Sequence, residues 1–216
     1  MALKTLDHVA LWVSERDAIA AILTRDLGMH VIERTETFTL VGADARRGKL
    51  TLFDAEGRRE AGALLHVGLR VPSLDGREPD LVLPDGLRIR LVEAETDIVD
   101  LDHVALACKD PAACAEGWVA LGFEPATPSP AGCDRVQVGG AFLELQHAAP
   151  AETERPLLNH LAVLVDSADE WKATAEDLGV EIADIKDAPN TYAVFVWGPE
   201  RVKLEYVEHK PSFSLV

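Results

Sequence analysis

Short apolar stretches recur along the chain in a fixed relation to polar breaks, and four of them open alike. Leu-Asp-His-Val-Ala-Leu occurs at Leu6–Leu11 and again at Leu101–Leu106, with looser copies at Leu65–Leu69 and Leu158–Val163. Each predicts a strand with a histidine near its start: His8, His66, His103 and His160. Alternation along such a strand puts His103, Ala105 and Ala107 on one face, with Val104, Leu106 and Cys108 on the other.

The segments after these strands repeat as well. Arg16–Leu27, Pro111–Leu121 and Ala168–Leu178 read as amphipathic helices, each ending in Leu-Gly. Glycine after the last apolar residue is a common helix stop, because it enters the left-handed region without a Cβ penalty. Three extended segments come next, for example Met29–Glu33, Phe38–Val41 and Lys49–Asp54 after the first helix. The unit is therefore βαβββ. The second copy is truncated, since the polar run between Val71 and Leu81 leaves no room for a helix, while Leu81–Leu83 and Leu87–Glu93 survive around the turn Pro84-Asp85-Gly86.

A lone βαβββ unit has an open sheet with an uncovered apolar face and must pair with another. The predicted fold class is α+β, with four modules, the second truncated, paired into two half-barrel units. Pairing neighbours in sequence makes residues 1–97 a degenerate, structural N-terminal unit and 98–216 a C-terminal unit carrying the chemistry, with Ala94–Asp100 as the junction.

The apolar fraction of 48% is that of a folded protein. The net charge of −16, from 37 acidic and 21 basic residues, opposes binding to nucleic acid or to anionic membranes. Cys108, Cys114 and Cys133 form neither a CxxC pair nor an even set, which fits a reducing compartment. The N-terminus carries no cleavable signal, and no stretch approaches the roughly 20 apolar residues of a membrane span. The expected location is cytoplasmic. The expected partners are a small-molecule substrate and, at most, a second copy of the chain in a homodimer.

Aligning the last strands on their leucines places Thr51, Arg90, Glu144 and Glu205 at one position. The C-terminal pair then reads His103, Glu144, His160, Glu205, whereas the N-terminal pair reads His8, Thr51, His66, Arg90. Imidazoles with carboxylates suit one first-row divalent ion such as Fe, Mn, Ni, Co or Zn, with positions left for water or substrate. An inward arginine opposes a cation, so the metal site is expected in the second half only. His30, His147 and His209 fall outside the repeat register and read as surface residues.

Repeated βαβββ modules with a first-strand histidine and a last-strand glutamate resemble the vicinal oxygen chelate superfamily. That superfamily holds glyoxalase I, methylmalonyl-CoA epimerase, extradiol dioxygenases and bleomycin-resistance proteins. The resemblance implies a cupped sheet around a metal that binds two adjacent substrate oxygens. The dioxygenase pattern maps onto His103, His160 and Glu205, and the run from Phe195 to Glu205 is similar to its signature, with Phe195 in place of tyrosine and Gly198 in place of aspartate. The glyoxalase pattern adds Glu144. The resulting expectation is a metal-dependent lyase or isomerase of the glyoxalase type that moves a proton, with Glu144 or Glu205 as base. An Fe- or Mn-dependent ring-cleaving dioxygenase is the first alternative, and a non-catalytic binding or resistance protein the second.

Overall fold

The structure, a computed structural model, describes residues 2–216. Module one comprises β1 (Thr5–Val13), α1 (Arg16–Leu27), β2 (His30–Arg34), β3 (Phe38–Gly42) and β4 (Lys49–Asp54). Module two has strands only: β5 (Leu64–Val71), β6 (Asp80–Val82) and β7 (Arg88–Glu93). Module three runs β8 (Asp100–Cys108), α2 (Pro111–Ala120), β9 (Glu124–Ala126), β10 (Asp134–Val138) and β11 (Ala141–His147). Module four runs β12 (Leu158–Leu164), α3 (Ala168–Asp177), β13 (Ile182–Asp187), β14 (Thr191–Trp197) and β15 (Lys203–His209). Among the described residues no helix is long and apolar enough to cross a membrane.

Helix boundaries follow local chemistry. Asp110 and Ser167 cap α2 and α3 by accepting from the amides of Ala113 and Glu170, and Pro111 occupies the first turn of α2. The glycine of each Leu-Gly stop has positive φ, at Gly28, Gly122 and Gly179. Gly122 also lies under Trp171, where a Cβ would come within 2.2 Å of the indole. Two further ends are capped from another module. Asp85, in the Pro84-Asp85-Gly86 turn, accepts from the amides of Ser14 and Glu15 at 2.8 and 2.9 Å, and Glu200 accepts from the Lys109 amide at 2.7 Å.

The expected half-barrels form, but their membership differs. One sheet of eight strands has the order β13-β14-β15-β12-β1-β4-β3-β2, and the other, of seven, the order β6-β7-β5-β8-β11-β10-β9. Module one therefore pairs with module four through antiparallel β1 and β12, and module two with module three through β5 and β8. The division into units 1–97 and 98–216 is corrected accordingly. Ala94–Asp100 joins strands of one sheet, and the two crossings between sheets lie at residues 55–63 and 148–157. These linkers run side by side, with the Leu157 amide bonded to Glu60 O at 2.6 Å and the Ala151 amide to Gly62 O at 3.1 Å.

The apolar faces of the two sheets and the helices share one core, which takes Leu11, Leu69, Leu106 and Leu204 from the four modules. Truncating a leucine there to alanine costs on the order of 2–5 kcal/mol. Tyr206 joins modules across this core by stacking on Trp171 at 5.0 Å and donating to Leu121 O at 2.9 Å.

Candidate metal centre

The site grows from two rows of residues across the larger sheet. One row runs Thr51, Ala10, His160, and the other Lys49, His8, Ala162, Glu205, Phe195. Ala10 and Ala162 form a floor too small to fill the cup, so the two histidines meet above it. His8 Nε2 lies 3.1 Å from His160 Nε2, and Glu205 Oε2 lies 3.2 Å from the former and 2.9 Å from the latter. Ligands held at about 2.1 Å in neighbouring octahedral positions are about 3.0 Å apart. The donor triangle therefore fits a first-row divalent ion. His160 and Glu205 are buried and His8 is nearly so. The contacts to Glu205 Oε2 are not aligned as hydrogen bonds, which leaves it a buried acceptor without a donor.

Electrostatics set the charge of the triangle. Burial disfavours the His8 cation, but the Glu205 charge and the bond to Asp7 outweigh it and raise its pKa to about 9. Burial would raise Glu205, yet the neighbouring His160 and His8 bring it down to about 2. His160 is lowered, chiefly by burial and against the pull of Glu205. Without an ion, one imidazolium thus faces one carboxylate.

Behind the triangle, a bulge in β1 between Leu6 and His8 turns Asp7 toward the same side as His8. His8 Nδ1 donates to Asp7 Oδ2 at 2.8 Å, and Lys49 Nζ donates to Asp7 Oδ1 at 2.9 Å. His160 Nδ1 is oriented in the same way by Asn159 Oδ1 at 3.2 Å. Such partners set the tautomer and ring angle of a ligating histidine. In front of the triangle opens a cavity of about 720 Å³ whose walls include Trp12, Phe38, Phe53, Phe195 and Phe213.

No family model and no curated protein matches the chain by sequence. Solved structures do. A Bacillus subtilis protein put forward as a dioxygenase superposes with a TM-score of 0.77 at 14% identity, over 98% of this chain and 87% of that one. Glyoxalase I from Zea mays superposes with a TM-score of 0.78 at 16% identity, over 94% of this chain and 92% of that one. The chain has the vicinal oxygen chelate fold.

Within that fold the expected ligand set is split. His160 and Glu205 lie in the cup of modules one and four, where the second histidine is His8, not His103, and the other closing position is Thr51. His103 and Glu144 lie in the cup of modules two and three. There His66 takes the place of His8, and its Nε2 is 2.8 Å from His103 Nε2. Glu144 stands beside Ala105 as Glu205 stands beside Ala162, but Arg135 binds it at 2.8 Å and Gln146 at 3.0 Å. Glu144 is accordingly no ligand of the triangle. Arg90 stands in the row of Gly68 and His103, the counterpart of Thr51 in the row of Ala10 and His160, and on that face it pairs with Asp80 at 2.8 Å.

Sequence reasoning places His8 outside the site because it pairs module one with module two. One local signal does restore His8 as a candidate beside His103 and His160, without choosing between them. Asp7, Asp102 and Asn159 each directly precede a strand histidine, and each accepts a hydrogen bond from that ring's Nδ1. His30 and His147 are exposed as expected. His209 is not a surface residue: its side chain is 9% exposed, it stacks on Phe213 at 4.1 Å, and its Nε2 approaches Asp7 Oδ1 to 3.2 Å.

Proposed function

We propose that the chain is a divalent-metal-dependent enzyme that binds a small substrate through two adjacent oxygens in the cup of modules one and four, and that its reaction consumes dioxygen. The observation that carries this reading is the three-membered donor triangle of His8, His160 and Glu205. Two imidazoles and one carboxylate on one face are the donor set of non-haem iron oxygenases. An ion bound there supplies Lewis acidity and room for two substrate oxygens as well as dioxygen. The preference for proton transfer rests on Glu144 as a fourth donor, and Glu144 lies in the other cup.

The remaining work falls to the chain's own side chains. Trp12, Phe53 and Phe38 form a continuous aromatic wall, with centroids 5.2 and 5.5 Å apart. Four of the six phenylalanines line this one cavity, which favours an apolar substrate body and keeps water off the reacting end. Lys203 is in the cavity wall two residues before Glu205 and makes no ion pair among the described residues, so its Nζ is a proton donor on the right face.

One observation favours a second reading, proton transfer at a carbon next to a carbonyl. Phe195 pairs directly with Glu205 and has no proton to give, whereas the resemblance to ring-cleaving enzymes implies a tyrosine there. In that reading Glu205 acts as the base. The test is oxygen uptake by protein loaded anaerobically with Fe(II), then given catechols or α-hydroxy ketones under air. Metal-dependent uptake is expected. Deuterium exchange from solvent without uptake would move the assignment to the second reading, and a chain that takes up no divalent ion would overturn both.

A further inference from the structure

The segment after β15 does not trail away from the molecule. Residues 210–216 cross the mouth of the cup from module four toward module one. The Lys210 amide bonds to Asn190 O at 2.9 Å, Ser212 Oγ to Pro189 O at 3.0 Å, and the Ser214 amide to Asn190 Oδ1 at 3.2 Å. At the far side, the imidazole of His30 meets Val216 O at 3.3 Å.

Phe213, at the centre of this strap, covers one group of charges. Its ring stacks on His209 at 4.1 Å with 16° between planes, and the Arg46 guanidinium lies 5.1 Å from its centroid. Lys49 Nζ is 6.0 Å from the same ring. Lys49 is only 3% exposed and is held by Asp7 and by Ala45 O at 2.7 Å. Asp7, itself 1% exposed, sits at the β1 bulge, where the strand ladder does not constrain it. Its orientation therefore depends on Lys49, His209 and the exclusion of water, which strengthens each charged contact.

We propose that the strap completes the metal centre: Phe213 seals the cluster of Lys49, Asp7 and His209, and Asp7 sets the ring of His8. Ion affinity then depends on a residue that touches no ligand. His209 and Phe213 are positioning residues. This inference rests on the reading of the triangle as a metal site.

The test is titration of the metal-free full chain with cobalt(II), following its visible absorption bands and competing with a chelator. Phe213→Ala is expected to weaken cobalt binding about tenfold, at the lower end for loss of a ligand's supporting partner, and to shift the bands as His8 turns. Phe213→Tyr keeps the stacked ring and should bind like wild type. Phe142→Ala makes the same truncation in the other cup and should change neither affinity nor bands. Asp7→Asn combined with Lys49→Met removes both buried charges together, so that neither is left alone, and should weaken binding at least as much as Phe213→Ala. Wild-type affinity and spectrum in Phe213→Ala or in the double variant would overturn the inference, as would equal weakening by Phe142→Ala. If wild type itself bound no cobalt, the metal reading would fall and this inference with it.

Discussion

The two cups are built on the same plan from the same repeated strand. In each, two histidines come from the antiparallel first strands, an alanine lies between them and the closing strand, and a glutamate stands beside that alanine. They differ at the other closing position, Thr51 against Arg90, at Gln146, which donates to Glu144 at 3.0 Å, and most directly at the cross-strand neighbour of the glutamate. Phe195 pairs with Glu205, whereas Arg135 pairs with Glu144. Arg135 satisfies its glutamate with two donors from one guanidinium and occupies the charge that an ion would need. Phe195 offers nothing, so Glu205 stays a buried carboxylate facing two imidazoles. The electrostatics differ accordingly. His66 is pushed down to about 4 by burial, His103 and Arg90, whereas His8 rises to about 9 beside Glu205 and Asp7. Two cups thus share a fold and a plan of histidines and glutamate, and the residues around the carboxylate decide whether it is left facing two imidazoles, the arrangement on which the proposed metal site rests.

The largest effect expected from this comparison is at the ligands. Alanine at His8, His160 or Glu205 should abolish binding of a divalent ion, while His103→Ala and Glu144→Ala should leave one ion per chain. Elemental analysis after dialysis decides it, and loss of the ion from the second pair would reverse the assignment of the cups.

Exchanging the neighbours should produce the next largest effect. Phe195→Arg is expected to capture Glu205 and weaken the ion by about 10–100-fold, the range for disturbing a ligand's surroundings. Arg135→Phe combined with Gln146→Val should free Glu144 of both donors and raise the stoichiometry of cobalt toward two per chain. A stoichiometry that stays at one would show that the donors on Glu144 are not what separates the cups.

The smallest effect is in protons. With its folded pKa raised to about 9, His8 is protonated at neutral pH and must lose its proton to become a ligand. About one proton should be released per ion bound at pH 7, measured by calorimetry in buffers of different ionisation enthalpy, and affinity should rise with pH until it levels near pH 9. The same shift acts on stability without metal. His8 stabilises the fold fully below its unfolded value near 6.5, and that contribution is lost as pH rises through about 9. Release of no proton would mean that both imidazoles of the triangle are already neutral before the ion arrives.

Much of this molecule is legible along the chain. The period-two alternation in β1, β5, β8 and β12, the Leu-Gly helix stops and the missing helix of module two depend on neighbours close in sequence, and the structure has them where the pattern puts them. The inward set of histidines and glutamates is legible too, because strand parity decides which face a residue takes except at a bulge such as that at Asp7. The partner of each module is a different kind of question. Leu6–Leu11 and Leu101–Leu106 are identical, so the edges of β1 and β8 offer the same backbone donors, acceptors and side chains. Nothing local distinguishes β12 from β5 as the neighbour of β1. That choice is made by the shared core and by the two linkers that cross between the sheets side by side, and it moves His8 into the candidate metal centre and His103 out of it. The role of Phe213 is hidden for the same reason: its contacts with Arg46 and Lys49 join residues far apart in the chain, and only the closed cup brings them together.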